Sequence, residues 1–498
     1  MSGQSTRQVD RRTVLKAGVV AVLASPLAGY LATPARAAAA DPAVAGSWGA
    51  PFNMGGIAIH ATLTRVDDVL FYQYVEGSPT VDHTSYVGTW NYRTGATAEA
   101  RLPYHRDVFC ASQVVLPDGR VFIAGGHDHT TGKRSDAVGV ANTDIYNPTN
   151  RTWTPTAPLT EKRWYPTVVA MPNGRSLVFG GQARAGAPSN TVEEYDPINN
   201  TMRTLPSTAT KPVGLYPRMY VLPNGRVIKV GTQRMTTYFN PATNAWSNVA
   251  AMIYGARKRG SAALLPGGTR VLTVGGQSSD TGPATGTAEI LDTSVAKPAW
   301  RSTGSLTYPR LLANLVTLPD GQVLVVGGGA QFNFSNPVTI PELYNPVTGT
   351  WAAMAPQQAG RMYHSTAVLL PDGRVLSAGQ DSGPLATYGE IFSPPYLFRG
   401  ARPSITAAPT FPGYGGKDLN ISTPDAGTIS GVTVIKAGAM THEVDSDQRS
   451  IPLTFTAGSG TITAQSPANA NVAPPGYYML FIVNSNGVPS VARWLRIG

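Results

Sequence analysis

Cysteine is almost absent from this chain of 498 residues, which contains only Cys110. One cysteine cannot close a disulfide within its own chain, so a fold cross-linked by internal disulfides is excluded. In an oxidising compartment this thiol must be free, joined to another molecule or chemically modified. A buried, inert thiol is the simplest interpretation. A modified thiol needs support from other residues.

Charged residues are also scarce, at 14% of the chain, whereas there are 53 glycines and 41 prolines. This composition predicts an all-β protein with many short strands and turns and little helix. The formal net charge is +10, but no block of Lys or Arg accounts for it. We therefore expect no nucleic-acid partner.

The first 37 residues have the pattern of an export signal. Arg11-Arg12 precedes an apolar run over residues 17–32, and a small-residue cleavage site follows at 35–37. This order predicts a twin-arginine signal peptide over residues 1–37, and a secreted or cell-envelope protein. A membrane anchor is the alternative, but the run is short and Pro26 interrupts it, so we expect no stable membrane insertion after cleavage. Residues 1–37 carry five basic residues and one acidic residue, so cleavage lowers the net charge from +10 to +6.

Six segments repeat one pattern, in which a turn of the Leu-Pro-Asp-Gly type is followed by an apolar run that usually ends in Gly-Gly. The turn prolines are spaced by 55, 51, 43, 53 and 52 residues, at Pro117, Pro172, Pro223, Pro266, Pro319 and Pro371. Pro and Asp or Asn favour a tight turn, and Gly accepts a positive φ, so each segment predicts a hairpin. A second turn flanked by aromatic residues, as in YNPTNRTW (Tyr146 to Trp153), brings each unit to about four strands. This period is typical of a kelch-type β-propeller.

A seventh, degenerate copy fits residues 57–73, which alternate strand, turn and strand without the Pro-Asp-Gly. The sequence therefore predicts a seven-bladed kelch-type propeller over residues 38–395. The period stops after SPPYLFRGARPSI (Ser393 to Ile405). Short strands separated by Gly, Pro and Asn turns then predict an immunoglobulin-like (early-set) β-sandwich over residues 396–498.

The repeat places unusual side chains at equivalent positions. Counting back six residues from the residue before the turn proline gives Cys110, Tyr165 and His364 in three of the copies, and Tyr363 is next to His364. We call this place in each copy the repeat position. Equivalent positions in a ring of blades lie at one height around one axis, so these side chains can meet at the channel mouth. The other copies have different residues at this position, namely Tyr216, Arg259, Leu312 and, in the degenerate copy, approximately His60. His60 can be a donor lining the channel or a packed core residue.

Four motifs together resemble the galactose oxidase and glyoxal oxidase family of copper radical oxidases. They are FCASQVVLPDGRVFIAGG, KRWYPTVVAMPNGR, GRMYHSTAVLLPDGRV and GAMTHEVDSDQRSIPL, in this order along nearly the whole mature chain. The resemblance implies that the sulfur of Cys110 forms a thioether with the ring of Tyr165. It also implies that Tyr363 is an axial copper ligand and that His364 and His442 are equatorial ligands, with His442 on a sandwich loop that reaches the channel.

The chemistry of these residues agrees with this implication. Imidazole and phenolate ligands suit Cu(II). Oxidising an alcohol or aldehyde removes two electrons, but copper accepts only one, so a second one-electron site is needed. The resemblance implies one copper ion, a protein-derived Cys110–Tyr165 thioether radical, and Tyr363 as the general base. It further implies a primary alcohol, small aldehyde or glycan end as substrate, O2 as acceptor and H2O2 as product.

The chain also departs from the family pattern. Galactose oxidase carries an extra sugar-binding β-domain before the propeller, whereas here only about ten residues separate the expected cleavage site from the first blade. RWYPT around Tyr165 is closer to the glyoxal oxidase branch. Family members cover the cross-linked ring with an aromatic residue, and Trp164 is expected to point away from Tyr165 if the strand is regular. Where some bacterial relatives use a tryptophan, this chain has Arg259.

Two further interpretations remain at this stage. A propeller that binds carbohydrate or a protein partner without redox chemistry is the alternative function. His127 and His129 have a spacing compatible with a metal, but we expect them on an exposed, solvated loop. We expect the protein to be a monomer.

Overall fold

Helix is rare in the part of the chain that the structure describes. The structure is a computed structural model that describes residues 41–75, 84–100, 102, 106–128, 138–332, 336–381, 383 and 385–498. Within these ranges there is one α-helical turn, α1 (Pro42–Ala45), and three short 3-10 helices, Ser207–Ala209, Pro395–Phe398 and Ala426–Thr428. No helix in the described ranges is long and apolar enough to cross a membrane. The predicted signal peptide (residues 1–37), the first propeller residues (38–40) and His129 lie outside the described residues.

In the described residues, seven small antiparallel sheets and one separate two-stranded hairpin follow one another before residue 394. Two short strands, β1 (Ser47–Trp48) and β2 (Phe52–Asn53), precede the first sheet. Sheet 1 has β3 (His60–Leu63), β4 (Asp68–Val75), β5 (Ser85–Asn91) and β6 (Thr97–Glu99). Sheet 2 has β7 (Ser112–Val115), β8 (Val121–Ala124), β9 (Thr143–Asn147) and β10 (Thr152–Pro155). Sheet 3 has β11 (Thr167–Ala170) and β12 (Ser176–Phe179), then, after the separate hairpin β13 (Gln182–Arg184) and β14 (Ala187–Pro188), β15 (Glu193–Asp196) and β16 (Thr201–Thr204).

The remaining sheets of this region repeat the same four-strand unit. Sheet 4 has β17 (Arg218–Val221), β18 (Val227–Val230), β19 (Met235–Asn240) and β20 (Ala245–Ala251). Sheet 5 has β21 (Ser261–Leu264), β22 (Arg270–Val274), β23 (Ala288–Asp292) and β24 (Trp300–Thr303). Sheet 6 has β25 (Asn314–Thr317), β26 (Val323–Val326), β27 (Glu342–Asn345) and β28 (Thr350–Ala353). Sheet 7 has β29 (Thr366–Leu369), β30 (Val375–Ala378) and β31 (Tyr388–Ser393), to which β1 and β2 add from the N-terminal side.

The first strands of these sheets are neighbours in chain order, from β3 through β7, β11, β17, β21 and β25 to β29, and β29 also contacts β3. The glycines that end the second strands allow this close approach. A Cβ on Gly275, which has a φ of +65°, would lie 2.3 Å from the carbonyl oxygen of Arg310 in the next sheet. A side chain there would force the sheets apart. The arrangement fits a β-propeller.

The predicted hairpins form as the turn chemistry requires. In sheet 7 the amide of Gly373 donates to the carbonyl of Leu370 at 2.9 Å, and Gly373 has a φ of +82°. Only glycine adopts this conformation without strain, which explains the Leu-Pro-Asp-Gly pattern.

The C-terminal region is a two-sheet β-sandwich. One sheet contains β32 (Asp418–Ser422), β37 (Phe455–Ala457) and β38 (Thr461–Gln465), and the other contains β33 (Ile429–Lys436), β36 (Arg449–Leu453), β39 (Gly476–Asn484) and β40 (Arg493–Ile497). A buried apolar core that includes Ile421, Val434 and Leu480 draws on strands of both sheets. Two strands leave the sandwich: β34 (Ala439–Thr441) pairs with β3 of sheet 1, and β35 (Val444–Asp445) pairs with β34.

Buried Arg–Glu pairs recur in four sheets, and sequence analysis missed them. Their members are Arg163–Glu193 at 2.8 Å, Arg257–Glu289 at 2.6 Å, Arg310–Glu342 at 2.8 Å and Arg361–Glu390 at 3.7 Å. Each arginine also donates to the carbonyl of the glycine that ends the second strand of its own sheet. The signal in the sequence was an arginine two residues before Tyr165, Arg259 and Leu312 and three residues before His364.

Removing one member of such a pair should destabilise the protein strongly. In Arg310→Met, the carboxylate of Glu342 stays buried without its cation, so we expect the free energy of unfolding to fall by about 3–5 kcal/mol. Urea unfolding followed by fluorescence measures this. Arg301→Gln, on the exposed part of β24, is the matched control and should change stability by less than about 0.5 kcal/mol. Equal stability of the two variants would contradict a structural role for the pair.

Candidate metal centre

The structure brings all five predicted site residues together. The Sγ of Cys110 and one ring nitrogen each of His364 and His442 lie within 4.8 Å of one another. The hydroxyls of Tyr165 and Tyr363 hydrogen-bond to each other. The ring of His442 is centred 5.1 Å from that of Tyr165 and 5.3 Å from that of Tyr363. Two phenols, two imidazoles and the single thiol therefore share one buried cluster.

An unusual backbone conformation aims these side chains inward. The residues at the repeat position all have a positive φ, between 41° and 65°, namely Cys110, Tyr165, Tyr216, Arg259, Leu312 and His364. Non-glycine residues rarely adopt this left-handed conformation, and such residues cluster at functional sites. Backbone hydrogen bonds link neighbouring positions: the amide of Tyr165 donates to the carbonyl of Cys110 at 3.0 Å, and the amide of Tyr216 donates to that of Tyr165 at 2.8 Å.

His442 arrives from the C-terminal region. It follows β34, in which Thr441 pairs with His60 of β3, and both His442 and Glu443 have a positive φ, of 47° and 54°. The pairing of β34 with β3 therefore sets the depth of the imidazole in the cluster. The expected loop between sandwich strands is thus a β-hairpin attached to sheet 1.

Trp164 is placed differently from the expectation. Its ring stacks on that of Tyr165, with centroids 4.2 Å apart and planes 20° from parallel. The expectation that it points away was wrong because β11 begins only at Thr167. Tyr165 is left-handed with a φ of 60°, so the alternation of a regular strand does not apply. Trp164 is the aromatic cover that the sequence did not identify.

Neighbouring oxygens orient both imidazoles. The Nδ1 of His364 is 2.6 Å from Oδ1 of Asp381, and the Nδ1 of His442 is 2.6 Å from Oγ1 of Thr441. With Nδ1 in these contacts, Nε2 of each ring is the atom that could hold a metal ion, an arrangement common around protein-bound metals. Burial, together with the nearby His364 and His60, holds the pKa of His442 well below its usual range. His442 is therefore neutral, as a metal ligand must be.

The acidic groups of the cluster are protonated in the metal-free protein. Burial raises the pKa of Tyr165, Tyr363 and the Cys110 thiol well above their ordinary values. Contact with the hydroxyl of Tyr165 partly opposes the shift at Cys110. A bound cation would favour the phenolates. Two imidazole nitrogens and two phenol oxygens, in a buried site, fit a copper ion.

His60 supports Cys110 directly. Its Nε2 accepts a hydrogen bond from the amide of Cys110 at 3.2 Å, and its Nδ1 lies 3.1 Å from Oε1 of Gln113. Burial lowers the pKa of His60 to about 3, so the ring is neutral and Nδ1 carries the proton. The hairpin register corrects the repeat count for sheet 1. Strand β7 begins at Ser112, two residues after Cys110, and β3 begins at His60. Ala58, two residues before His60, therefore occupies the equivalent position in sheet 1.

A cavity of about 420 Å³ opens beside the cluster. Its lining includes Tyr165, Tyr363, His442, Arg259 and Phe332. Sequence analysis identified the first four, but nothing in the sequence pointed to Phe332.

A buried ion pair also borders this cavity, between Arg218 and Glu443 at 3.0 Å. Burial raises the pKa of Glu443 to about 7, and Arg218 and Arg259 oppose that shift. Glu443 could have been singled out because it follows His442 in a quoted motif.

His127 is not on an exposed loop. It is buried, and its ring meets Trp164 edge-on with centroids 5.5 Å apart. Within the described ranges the only cluster of His, Cys, Asp and Glu atoms suited to a metal is that of Cys110, His364 and His442. His127 therefore belongs to the packing around Trp164.

Comparison with known proteins decides the family. Residues 79–394 match the family model described as glyoxal oxidase N-terminus, and residues 402–497 match the galactose oxidase-like early set domain. The chain belongs to the galactose oxidase and glyoxal oxidase family of copper radical oxidases. The early-set domain at the C-terminus confirms the predicted class of that region.

Members of this family resemble the chain over most of its length. A galactose oxidase of Gibberella zeae is 30% identical over 82% of this chain, which spans 64% of that relative. An aldehyde oxidase of Vitis pseudoreticulata is 30% identical over 78% of this chain and 82% of its own length. A fungal alcohol oxidase solved in complex with copper is similar in structure, with a TM-score of 0.79 and 25% identity, over 91% of this chain and 99% of that one.

Loss of the imidazole acceptor at position 60 should disturb the position of Cys110. His60→Phe keeps a ring to stack on Tyr72 but leaves the buried amide of Cys110 without an acceptor. We expect the free energy of unfolding to fall by about 1–3 kcal/mol, measured by urea unfolding. His60→Gln, which can restore an acceptor, should recover part of the loss. If both variants match the wild type, His60 is only a packing residue.

Proposed function

We propose that this protein is an exported copper radical oxidase. It oxidises a primary alcohol, a small aldehyde or the end of a glycan, and reduces O2 to H2O2. The observation that carries the proposal is the convergence of Tyr165, Tyr363, His364, His442 and the single thiol in one buried cluster beside a cavity. A propeller that only binds carbohydrate or protein would have no need of this set.

The fold we propose is a closed ring of seven blades. Support comes from the contact of β29 with β3, and from β1 and β2, which pair with β31. N-terminal strands would thus complete the last blade. A closed ring holds the repeat positions at fixed distances around one axis, which a metal centre with ligands from three sheets requires.

Tyr165, Tyr363, His364 and His442 would hold one copper ion. When bound, copper supplies a one-electron acceptor and a positive charge for the substrate oxygen. The second acceptor would be the ring of Tyr165, linked to the sulfur of Cys110 and able to carry an unpaired electron. This use of Cys110 also accounts for the only cysteine of the chain.

The chain's own residues would control the proton and the water. Tyr363 would take the proton of the substrate hydroxyl as general base, and its hydrogen bond to Tyr165 offers that proton a second site. Trp164 covers one face of the Tyr165 ring and would exclude water from it. Asp381 and Thr441 keep the two imidazoles in the ligating orientation.

The reaction balances without any other reactant. A primary alcohol RCH2OH loses two electrons and two protons to become RCHO, and O2 takes up both pairs to become H2O2. The relatives bear the names galactose oxidase, aldehyde oxidase and alcohol oxidase, and they are 25–30% identical to this chain. The match to the glyoxal oxidase model favours small aldehydes.

We also propose that residues 1–37 are removed on export by the twin-arginine pathway, and that the mature enzyme is a secreted or cell-envelope monomer. The Arg11-Arg12 pair and the Ala35 to Ala37 segment support this.

The thioether can be detected by mass. Mature protein treated with copper and oxygen should lose two hydrogen atoms, because a C–S bond replaces an S–H and a ring C–H. Peptide mapping should locate the bond between Cys110 and Tyr165. Tyr216→Phe, which alters the neighbouring phenol, should still form it, whereas Cys110→Ser should not. An unmodified, alkylatable thiol after copper loading would contradict the proposed cofactor.

Loss of Tyr363, the proposed general base and one of the four copper-holding residues, should sharply lower turnover. Tyr363→Phe should lower peroxide release by about 10²–10⁴-fold, because the substrate proton loses its acceptor. A coupled peroxidase assay over glyoxal-type aldehydes, glycolaldehyde, galactose and glycans measures it. Tyr477→Phe, in the sandwich, should match the wild type. Undiminished turnover in Tyr363→Phe would remove Tyr363 from the mechanism.

A further inference from the structure

We propose that Arg259 anchors a carboxylate-binding subsite, so that the preferred substrates are small aldehydes or alcohols that carry a carboxylate in the same molecule. The inference rests on the proposed oxidase function and names its substrate class. Arg259 occupies the repeat position of sheet 5, directly before β21, and lines the cavity that also reaches Tyr165 and Tyr363.

The guanidinium of Arg259 is held close to the reacting centre. Its central carbon lies 4.3 Å from the centroid of the Phe332 ring. That ring meets the ring of Tyr363 edge-on, with centroids 5.6 Å apart. The guanidinium is thus one aromatic ring away from the proposed general base. A short molecule can span that distance.

The charges of the cavity favour an anion. Three cationic and two anionic side chains line it, namely Arg218, Lys258, Arg259, Asp280 and Glu443. Glu443 pairs with Arg218 at 3.0 Å, and Asp280 pairs with Lys258 at 2.6 Å. Arg259 is farther from Asp280, with 3.7 Å between Nη1 and Oδ1. Arg259 shares Asp280 with Lys258 and also donates to the Asp280 carbonyl at 3.5 Å, so these lining residues have one cation more than they have carboxylates.

The chemistry of the guanidinium suits a carboxylate better than a neutral hydroxyl. Its planar donors match the two carboxylate oxygens in a bidentate pair, and such charge-assisted bonds are stronger than neutral ones. The cation–π contact with the Phe332 ring holds the guanidinium at this side of the cavity. The Arg259 side chain is 27% exposed, so an anion from solvent can reach it.

The subsite leaves the redox balance unchanged. A hydrated aldehyde, R–CH(OH)2, loses two electrons and two protons to become R–COOH, and O2 takes them up as H2O2. The carboxylate already present in R stays intact and only binds Arg259.

A matched pair of aldehydes tests the selectivity. Succinic semialdehyde and butanal share a chain length but differ in the terminal carboxylate. In Arg259→Gln, kcat/KM for succinic semialdehyde should fall about tenfold or more, mainly through KM, and that for butanal should stay within about twofold. Arg301→Gln, which removes an exposed arginine of β24, should change neither. Equal loss for both aldehydes would overturn the subsite.

A binding measurement separates this inference from the oxidase proposal. Calorimetry on copper-free protein should show butanoate binding that is about tenfold or more weaker in Arg259→Gln and unchanged in Arg301→Gln, whereas neutral butyramide should not bind. Butanoate binding that depends on Arg259, without peroxide from any aldehyde, primary alcohol or glycan, would refute the oxidase and retain the subsite. Peroxide from butanal, without butanoate binding that depends on Arg259, would refute the subsite alone.

Discussion

A left-handed residue before the first strand of a sheet is the constraint on which the metal centre depends. Cys110, Tyr165 and His364 have this conformation, and their side chains meet in the buried cluster. A regular strand would send neighbouring side chains to opposite faces. Here Trp164 and Tyr165 are in stacking contact, and so are Tyr363 and His364, with ring centroids 3.9 Å apart. The strained backbone is what makes two adjacent residues serve one site.

Strain of this kind persists only where the surroundings determine it, and the buried Arg–Glu pairs lie close to it. Arg163 precedes Tyr165 by two residues, and Arg361 precedes His364 by three. Each arginine donates to a backbone carbonyl of its own sheet. The same device occurs in sheets 5 and 6, which supply no predicted ligand. The device is therefore shared by four of the seven sheets, and the site arises from the residues placed on it.

The sequence predicted most of this arrangement, because the repeat count and the backbone conformation follow the same period. It identified Cys110, Tyr165 and His364 as equivalent, and the left-handed φ of all three agrees. It failed where local geometry departs from the period. The degenerate first copy shifted the count by two residues at His60, and the stacking of Trp164 depends on a turn that strand alternation cannot describe. Phe332 and the pairing of β34 with β3 depend on long-range contacts, for which the local sequence has no signal.

Contacts around the β34–β35 hairpin connect the seven sheets and the C-terminal sandwich to the position of His442. The carboxylate of Asp447 accepts from the amide of Val115 in sheet 2 at 2.8 Å and also pairs with Lys436 of the sandwich, in a fully buried position. Thr441 donates to the carbonyl of Ile59, and Glu443 pairs with Arg218 of sheet 4. Buried charges of this kind are costly unless they are paired, so their partners specify one position for the hairpin. His442 lies between these fixed points, and its imidazole is in place before any metal binds. Copper would then meet a preorganised set of ligands, and the two phenols would need to give up only their protons.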